Sequence, residues 1–387
     1  MKGQLILRTM REIAPLVRRP IETLPDQFYP EVGIRSFGRG AFHKEPKTGS
    51  ELGEKRLFEW KSGDLLFNIV FAWEGAVAVA TEAEDGKVGS HRFLTCVVDP
   101  KLAEARYLFW WFTHDRGRDK LLWASPGGAG RNRTLGVEKL AAIEVPLPPL
   151  DEQRRIVRQL DSVAALVEDR RRALEAAERE TQALLLKAFQ RAIDGATLLP
   201  MAEVAPLVRR PVEIDLDARY PELGVRSFGR GTFHKPDLLG AELSWQKLFL
   251  VQQGDLVFSN IKAWEGAFAV AGPDDHGRVG SHRYLTCVPT QGLATANFIW
   301  FYLQTSEGLA KVQSASRGSA DRNRTLGQGA LEALTVPTPP MSRQQWFDRL
   351  HAKAREARAM RASTAQDVEA LIPAMLHEIF NGQAKAA

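Results

Sequence analysis

The strongest constraint on how this chain folds is that most of it is written twice. Ala14-Pro-Leu-Val-Arg-Arg-Pro20 recurs as Ala205 to Pro211, and Arg35-Ser-Phe-Gly-Arg-Gly40 recurs as Arg226 to Gly231. Ala72-Trp-Glu-Gly-Ala76 returns at Ala263 to Ala267, Val88-Gly-Ser-His-Arg92 at Val279 to Arg283, and Arg131-Asn-Arg-Thr-Leu-Gly136 at Arg322 to Gly327. One offset of 191 residues relates every pair, and roughly half of the positions from Ala14 to Pro149 are identical in the second copy. Stacked solenoid repeats run to roughly 20–50 residues, so this period marks a duplicated domain, and two copies of one fold are expected.

Each copy ends in the same kind of join. Ile143 to Gln153 reads IEVPLPPLDEQ, and Leu334 to Gln344 reads LTVPTPPMSRQ. Paired prolines cannot sit inside a helix and push the preceding residue toward extended geometry. They therefore close a short strand and release a helix just beyond, with Asp151 and Glu152 suited to its positive N-terminal end. The expected division is a first domain over 1–149, a long helix over 150–195, a second domain over 196–340, and a second long helix with a tail over 341–387.

The stretch from Asp151 to Ile193 places apolar or small residues at Ile156, Leu160, Val163, Val167, Leu174, Ala177, Leu184 and Ala188, with Arg170 and Thr181 as interruptions. Such spacing is a heptad-like seam. The second helix carries Trp346, Leu350, Ala357, Met360, Leu371 and Met375 on its seam, with Pro373 expected to kink its last turns. Between Leu184–Gly195 and Leu371–Gly382 the offset falls to 187, so the second rod is shorter by about one turn. Two sticky rods in one chain are expected to pair with each other, antiparallel, about an approximate two-fold axis.

Apolar content of 44% and charged content of 26% are those of an ordinary globular protein. No run approaches the roughly 18 apolar residues of a membrane span, and the N-terminus lacks a secretory pattern, so no membrane partner and a cytoplasmic location are expected. Cys96 and Cys287 occupy the same repeat position, which argues for buried core thiols rather than a disulfide or a zinc site. The net charge of +5 is compatible with a polyanionic partner.

Within a copy the pattern is α/β with a mostly antiparallel or mixed sheet. Leu65–Phe71, Ala76–Ala80 and His91–Val98 read as strands, Trp73-Glu-Gly75 as a tight turn, and Arg106–Leu122 as one helix with an aromatic face. Ser125 to Gly130 reads as a glycine-rich loop.

This arrangement resembles the specificity subunit of Type I restriction-modification systems. The resemblance rests on Gly63-Asp-Leu-Leu-Phe67 with Gly254-Asp-Leu-Val-Phe258, on the glycine- and serine-rich loops before Arg131 and Arg322, and most specifically on Pro146-Leu-Pro-Pro-Leu-Asp-Glu-Gln153. It covers nearly the whole chain. The second junction departs from it, with Ser342 and Arg343 in place of the acidic pair. The two halves are also more alike than the family usually shows. The resemblance implies two α/β target-recognition domains joined by long helices packed as an antiparallel coiled coil. It also implies a non-catalytic subunit that binds double-stranded DNA and docks methyltransferase and restriction/translocase subunits. S-adenosylmethionine and ATP are then expected in those partners, with no cofactor in this chain. No phosphate-cradling G-x-x-x-x-G-K-[ST] loop is present in the sequence.

DNA recognition needs cations for phosphates and side chains that reach base edges. The candidates are Arg35, Arg39, His43 and Lys44, with Phe37 and Phe42 expected to anchor their loop; Ser90, His91 and Arg92; and Arg131, Asn132 and Arg133. Their repeat mates are Arg226, Arg230, His234 and Lys235; Ser281, His282 and Arg283; and Arg322, Asn323 and Arg324. Glu74 could accept from a cytosine amine, although a structural turn explains Trp73-Glu-Gly75 better. Two other readings compete: a protein-binding coiled-coil scaffold, and a metal-dependent nuclease using His43, Glu74 and His91. Two domains with the same reading residues are expected to read similar half-sites, inverted about the two-fold axis and centred about 10 base pairs apart.

Overall fold

The computed structural model describes residues 5–128, 132–243, 247–318 and 324–384, with side chains as far as Asn381. The chain divides into two compact units, Met1–Leu174 with Ala362–Ala387, and Glu175–Arg361. Two helices dominate its sequence, Leu150–Ile193 and Met341–Ala384, and each passes from one unit into the other.

In the first unit the sheet order is Val77–Val79, Leu65–Asn68, Phe93–Cys96 and Leu16–Val17, antiparallel throughout. A second sheet pairs Val88–Ser90, Leu57–Glu59 and Pro20–Ile21, again antiparallel. Ile6–Thr9 pairs with Glu144–Leu147, so the strand that ends in the double proline is tied to the start of the chain. The second unit repeats this plan with Phe268–Val270, Leu256–Ser259 and Tyr284–Cys287, where one bridge from Leu207 to Cys287 replaces the fourth strand. The expected strands are present but shorter: Leu65–Asn68 gives way to the turn at Ala72–Glu74, and Val77–Val79 and Phe93–Cys96 are trimmed at both ends. Cys96 and Cys287 are buried in equivalent strands, and burial raises each thiol to about 12.

The duplicated motifs next to these strands turn out to be fasteners. Arg19 holds Asp64 in a two-pronged pair at 2.6 and 3.0 Å, and Asp64 also accepts from the Lys61 N–H at 2.7 Å. Arg210 and Asp255 repeat this at 2.6 and 3.1 Å, with the Gln252 N–H at 2.8 Å. The Arg-Arg-Pro and Gly-Asp motifs are thus two halves of one part-buried ion pair.

The expected single helix over Arg106–Leu122 is two helices, Ala105–Thr113 and Asp115–Ala124. His114 breaks it: extended backbone there ends the first helix, and its ring accepts from the Arg116 N–H at 3.4 Å to start the second. Gly117 permits the close return, since a Cβ there would lie 2.1 Å from the Trp111 carbonyl oxygen. The first of these helices is buried on every side from Tyr107 to Phe112, so the aromatic residues do not mark a single face.

The junction is closed by glutamine, not by the acids before it. Gln153 is 1% exposed; its amide oxygen accepts from the Glu104 N–H at 3.0 Å, and its nitrogen donates to the carbonyls of Leu102 at 3.2 Å and Pro148 at 2.9 Å. Gln344, fully buried, makes the same three bonds to the Thr295 N–H and the carbonyls of Leu293 and Pro339. This accounts for the second junction's tolerance of Ser342 and Arg343. In the first unit Arg106 adds a bond of 2.6 Å to Asp161, which also accepts from the Trp110 indole at 2.8 Å.

The first helix follows the expected seam over its N-terminal half, with Ile156 and Leu160 buried and Val163 and Val167 half-buried, and departs from it by one residue farther on. In the second unit Leu185, Phe189, Ala192 and Phe347 are buried, while Leu184 and Trp346 are exposed. Met360 and Leu371 are exposed as well, and Leu376 and Phe380 are the buried residues at the end of the second helix. A straight helix of 3.6 residues per turn drifts away from a strict seven-residue repeat, and the drift accumulates along rods this long. Thr181, read as an interruption, lies in the contact and accepts from Arg361 at 3.1 Å. In the same unit Arg343 donates to the Asp194 carbonyl and Arg358 to Glu178, so these helices run antiparallel. The second helix remains continuous through Pro373.

Candidate nucleic-acid interface

Four repeated motifs meet at one end of the sheet in each unit. The hairpin Val32–Ile34 with Ala41–His43 carries the loop Arg35–Gly40. Phe42 anchors it as expected: its ring lies across Gly33, where a Cβ would be 2.4 Å away, and the Arg35 guanidinium stacks 4.8 Å from the ring centre. Phe233 and Arg226 do the same in the second unit, at 4.9 Å.

Phe37 does the opposite of what was expected. It is 64% exposed, and Phe228 is 69% exposed. Both have left-handed backbone, φ 60° and 62°, and no other non-glycine residue among those described has positive φ. The backbone is held there by the neighbouring turn. The Phe37 N–H donates to the Glu74 carbonyl at 2.9 Å, the Gly38 N–H to the Gly75 carbonyl at 2.9 Å, and the Ser36 hydroxyl to the Glu74 carboxylate at 2.9 Å. Phe228, Gly229 and Ser227 make the same three bonds to Glu265 and Gly266, at 2.8, 3.0 and 2.7 Å. Hydrogen bonds from Lys262, and less from Ser227, hold the Glu265 carboxyl below its ordinary range. Glu74 and Glu265 are therefore loop clamps, which explains why Trp-Glu-Gly is duplicated.

The remaining motifs converge on the segment after the central strand. The Ile69 N–H donates to the Arg92 carbonyl at 2.8 Å, and the Leu135 N–H donates to the Ile69 carbonyl at 2.9 Å. Asn260 links Arg283 and Leu326 in the same way, at 2.8 and 2.8 Å. Arg133 stacks over Trp73 at 5.9 Å, and Arg324 over Trp264 at 5.3 Å. Each loop is thus tied to the clamp turn or to the strand beside it. Arg131, Arg322 and Asn323 lie outside the described residues.

The candidates separate by environment. Arg35, Arg39, His91, Arg92, Asn132, Arg226, Arg230, His282 and Arg283 are exposed. Ser90 is 6% exposed, because in a strand paired to Leu57 its side chain faces inward, and it cannot reach a ligand. Its mate Ser281 is half-buried. His43 lies 2.7 Å from buried Glu84, and His234 lies 3.0 Å from buried Asp275. Lys44 faces Glu31 at 4.0 Å, and Lys235 donates to Glu222 at 2.8 Å. Burial pushes the Glu84 carboxyl up, but hydrogen bonds from Thr81 and His43 outweigh it and hold the group below its ordinary range. These His and Lys residues are engaged by carboxylates and brace the hairpin. The nuclease reading also loses its set: His43 is engaged with Glu84, and Glu74 with Ser36.

The whole chain is similar in fold to solved structures. A chain from a structure of complex assembly and conformational transition in the type I R-M system matches with a TM-score of 0.67 at 18% identity, covering 98% of this chain and 99% of that one. The crystal structure of the HsdS subunit from Thermoanaerobacter tengcongensis matches at 0.53 and 19% identity, covering 98% and 97%. The S subunit of a Type-I restriction-modification system from M. genitalium matches at 0.55 and 11%, covering 97% and 95%. No family model matches the sequence, and no curated protein matches it. The fold, two α/β domains each followed by a long helix, is that of the Type I S subunits. No helix among the described residues is long and apolar enough to cross a membrane.

Proposed function

We propose that this chain is the DNA-recognition subunit of a Type I restriction-modification complex. In this reading each unit lays its loop cluster on double-stranded DNA, and methyltransferase and restriction subunits supply the chemistry together with S-adenosylmethionine and ATP. The chain itself acts as a non-catalytic reader and adaptor. One observation carries the reading: the same exposed basic surface is built twice, with the same hydrogen bonds, on a fold shared with S subunits. Arg39 and Arg230, exposed at the loop tips, are assigned to phosphates. Arg92 and Arg283, His91 and His282, and Asn132, all exposed, are assigned to base edges, since Arg matches guanine and Asn adenine. Because the two surfaces are alike, the target has two similar half-sites around an unread spacer. An inverted arrangement of the two half-sites is part of this proposal.

The test is duplex binding by the full chain produced with its modification subunits. Arg39→Ala with Arg230→Ala should weaken binding and lower the slope of log K against log salt by about two, roughly one per lost phosphate contact. Unchanged affinity and slope would remove this loop from the interface.

A further inference from the structure

The loop tips carry a feature that phosphate binding does not explain. Phe37 and Phe228 are large apolar side chains facing solvent in a backbone region that bulky residues avoid. Glycine occupies that region without strain, and glycines already stand at the next position and at the third, Gly38 and Gly40. A ring held out in the left-handed region costs stability twice, through backbone strain and through exposure, and strain of this kind collects at functional sites. The same cost recurs at the equivalent residue of each unit. Each is held by the same three hydrogen bonds to the Trp-Glu-Gly turn, so the rings are presented on a rigid loop.

The surroundings identify what covers them. Arg39 and Arg230 stand two residues on, exposed, and the Arg230 guanidinium lies 5.6 Å from the Phe228 ring centre. An apolar ring flanked by cations suits a ligand with flat apolar faces inside an anionic envelope. The base stack of a DNA duplex has that construction. Protein interfaces also combine aromatic side chains with Arg, and DNA is preferred because the same loop belongs to the proposed recognition surface.

We infer that Phe37 and Phe228 are wedges that press their rings into the base stack of bound duplex DNA, one in each half-site. Apolar side chains inserted at a base step unstack it partially and bend the duplex. The arginine beside each ring holds a phosphate next to that step. This rests on the DNA-recognition reading above and extends it from phosphate contact to deformation of the base stack. It also gives the duplicated Glu74 and Glu265 a purpose, as residues that position the wedge without touching DNA.

The experiment uses the full chain with its modification subunits and a duplex carrying the site that the complex methylates. Phe37→Ala and Phe228→Ala should each weaken binding about 5- to 150-fold, the range for loss of one stacked aromatic contact. The salt slope should stay unchanged, because no charge is lost. Phe37→Tyr should bind within about twofold of the parent, and permanganate should oxidise thymines at the wedge step only when the ring is present. Phe37→Gly should melt at or above the parent temperature while binding as weakly as the alanine variant, which separates a wedge from a folding residue. Unchanged affinity overturns the inference, and so does a loss accompanied by a lower salt slope, which would mean that the loop and Arg39 had collapsed together. Loss of the modification subunits on purification with DNA affinity intact would assign the rings to a protein partner instead and also overturns it. Failure of the parent complex to bind any duplex removes the recognition reading itself.

Discussion

Replacing Gln153 by alanine is the sharpest test of how each domain holds its helix. The side chain fills a buried position and makes three hydrogen bonds, all to backbone, spanning residues 102, 104 and 148. Alanine leaves one N–H and two carbonyls facing each other without a partner. Each bond contributes about 1 kcal/mol net, and each buried group stranded without a partner costs about 1–3 kcal/mol. Because carbonyls tolerate a missing partner better than N–H groups, the sum is about 3–5 kcal/mol, a large share of the roughly 5–15 kcal/mol that stabilises a domain. Gln153→Glu is a second probe: it keeps the acceptor for Glu104 but turns a negative charge toward the Leu102 and Pro148 carbonyls. Its penalty should shrink as the pH falls and the carboxyl takes up a proton. Gln344→Ala should produce the same loss in the second unit, whose bonds are the same. Urea unfolding of the full chain, followed by hydrogen exchange resolved along the sequence, assigns each loss to its unit. A shift below about 0.5 kcal/mol, the level of an ordinary surface substitution, would refute the reasoning and return the junction's role to its prolines.

Asp64→Ala should destabilise the first unit by about 3 kcal/mol or more, because it leaves the Arg19 guanidinium half-buried without its partner; calorimetry of the variant measures this. His351 is buried among Trp300, Phe301 and Phe347, and burial, with the nearby Arg355 and Arg358 charges, lowers it to about 4. Its unfolded value is near 6.5, so the folded state binds fewer protons, and stability is full above about pH 6.5 and falls toward pH 4. The loss reaches about 3 kcal/mol, and His351→Leu should flatten that part of the stability–pH curve. The thiols of Cys96 and Cys287, raised to about 12 by burial, should resist alkylation at pH 8 until urea unfolds the chain, as mass spectrometry of the alkylated protein would show.

Much of this fold can be read from the repeat and its two joins. Paired prolines can only end a strand and precede a helix, and a charged run without glycine can only be a rod, so both long helices were legible. The seam was legible at Ile156 and Leu160 but not farther along, because a choice between Leu184 and Leu185, or Trp346 and Phe347, depends on the drift of a straight helix over many turns. The break at His114 was hidden for a different reason: nothing in an apolar run shows that the next helix must fold back over Gly117. At the candidate site the basic motifs were visible, but their partners were not. His43 and Lys44 look free to meet DNA until Glu84 and Glu31, from other segments, come into contact with them. Phe37 was misread because an aromatic beside glycines usually anchors a loop, whereas the carbonyls of Glu74 and Gly75 hold this one open. Gln153 carried a legible signal, since it is the residue that both junctions share after the acids are lost.

The central claim is that two like surfaces read two like sequences. Mapping methylated bases across the genome of a cell that carries this chain with its modification subunits tests it most directly. The account predicts one bipartite motif whose two halves are the same or nearly so, inverted, with an unread spacer between them. Two unrelated half-sites would contradict it, and specificity would then have to reside in the positions where the copies differ, Asn68 and Ser259, Ile69 and Asn260, and Phe71 and Lys262.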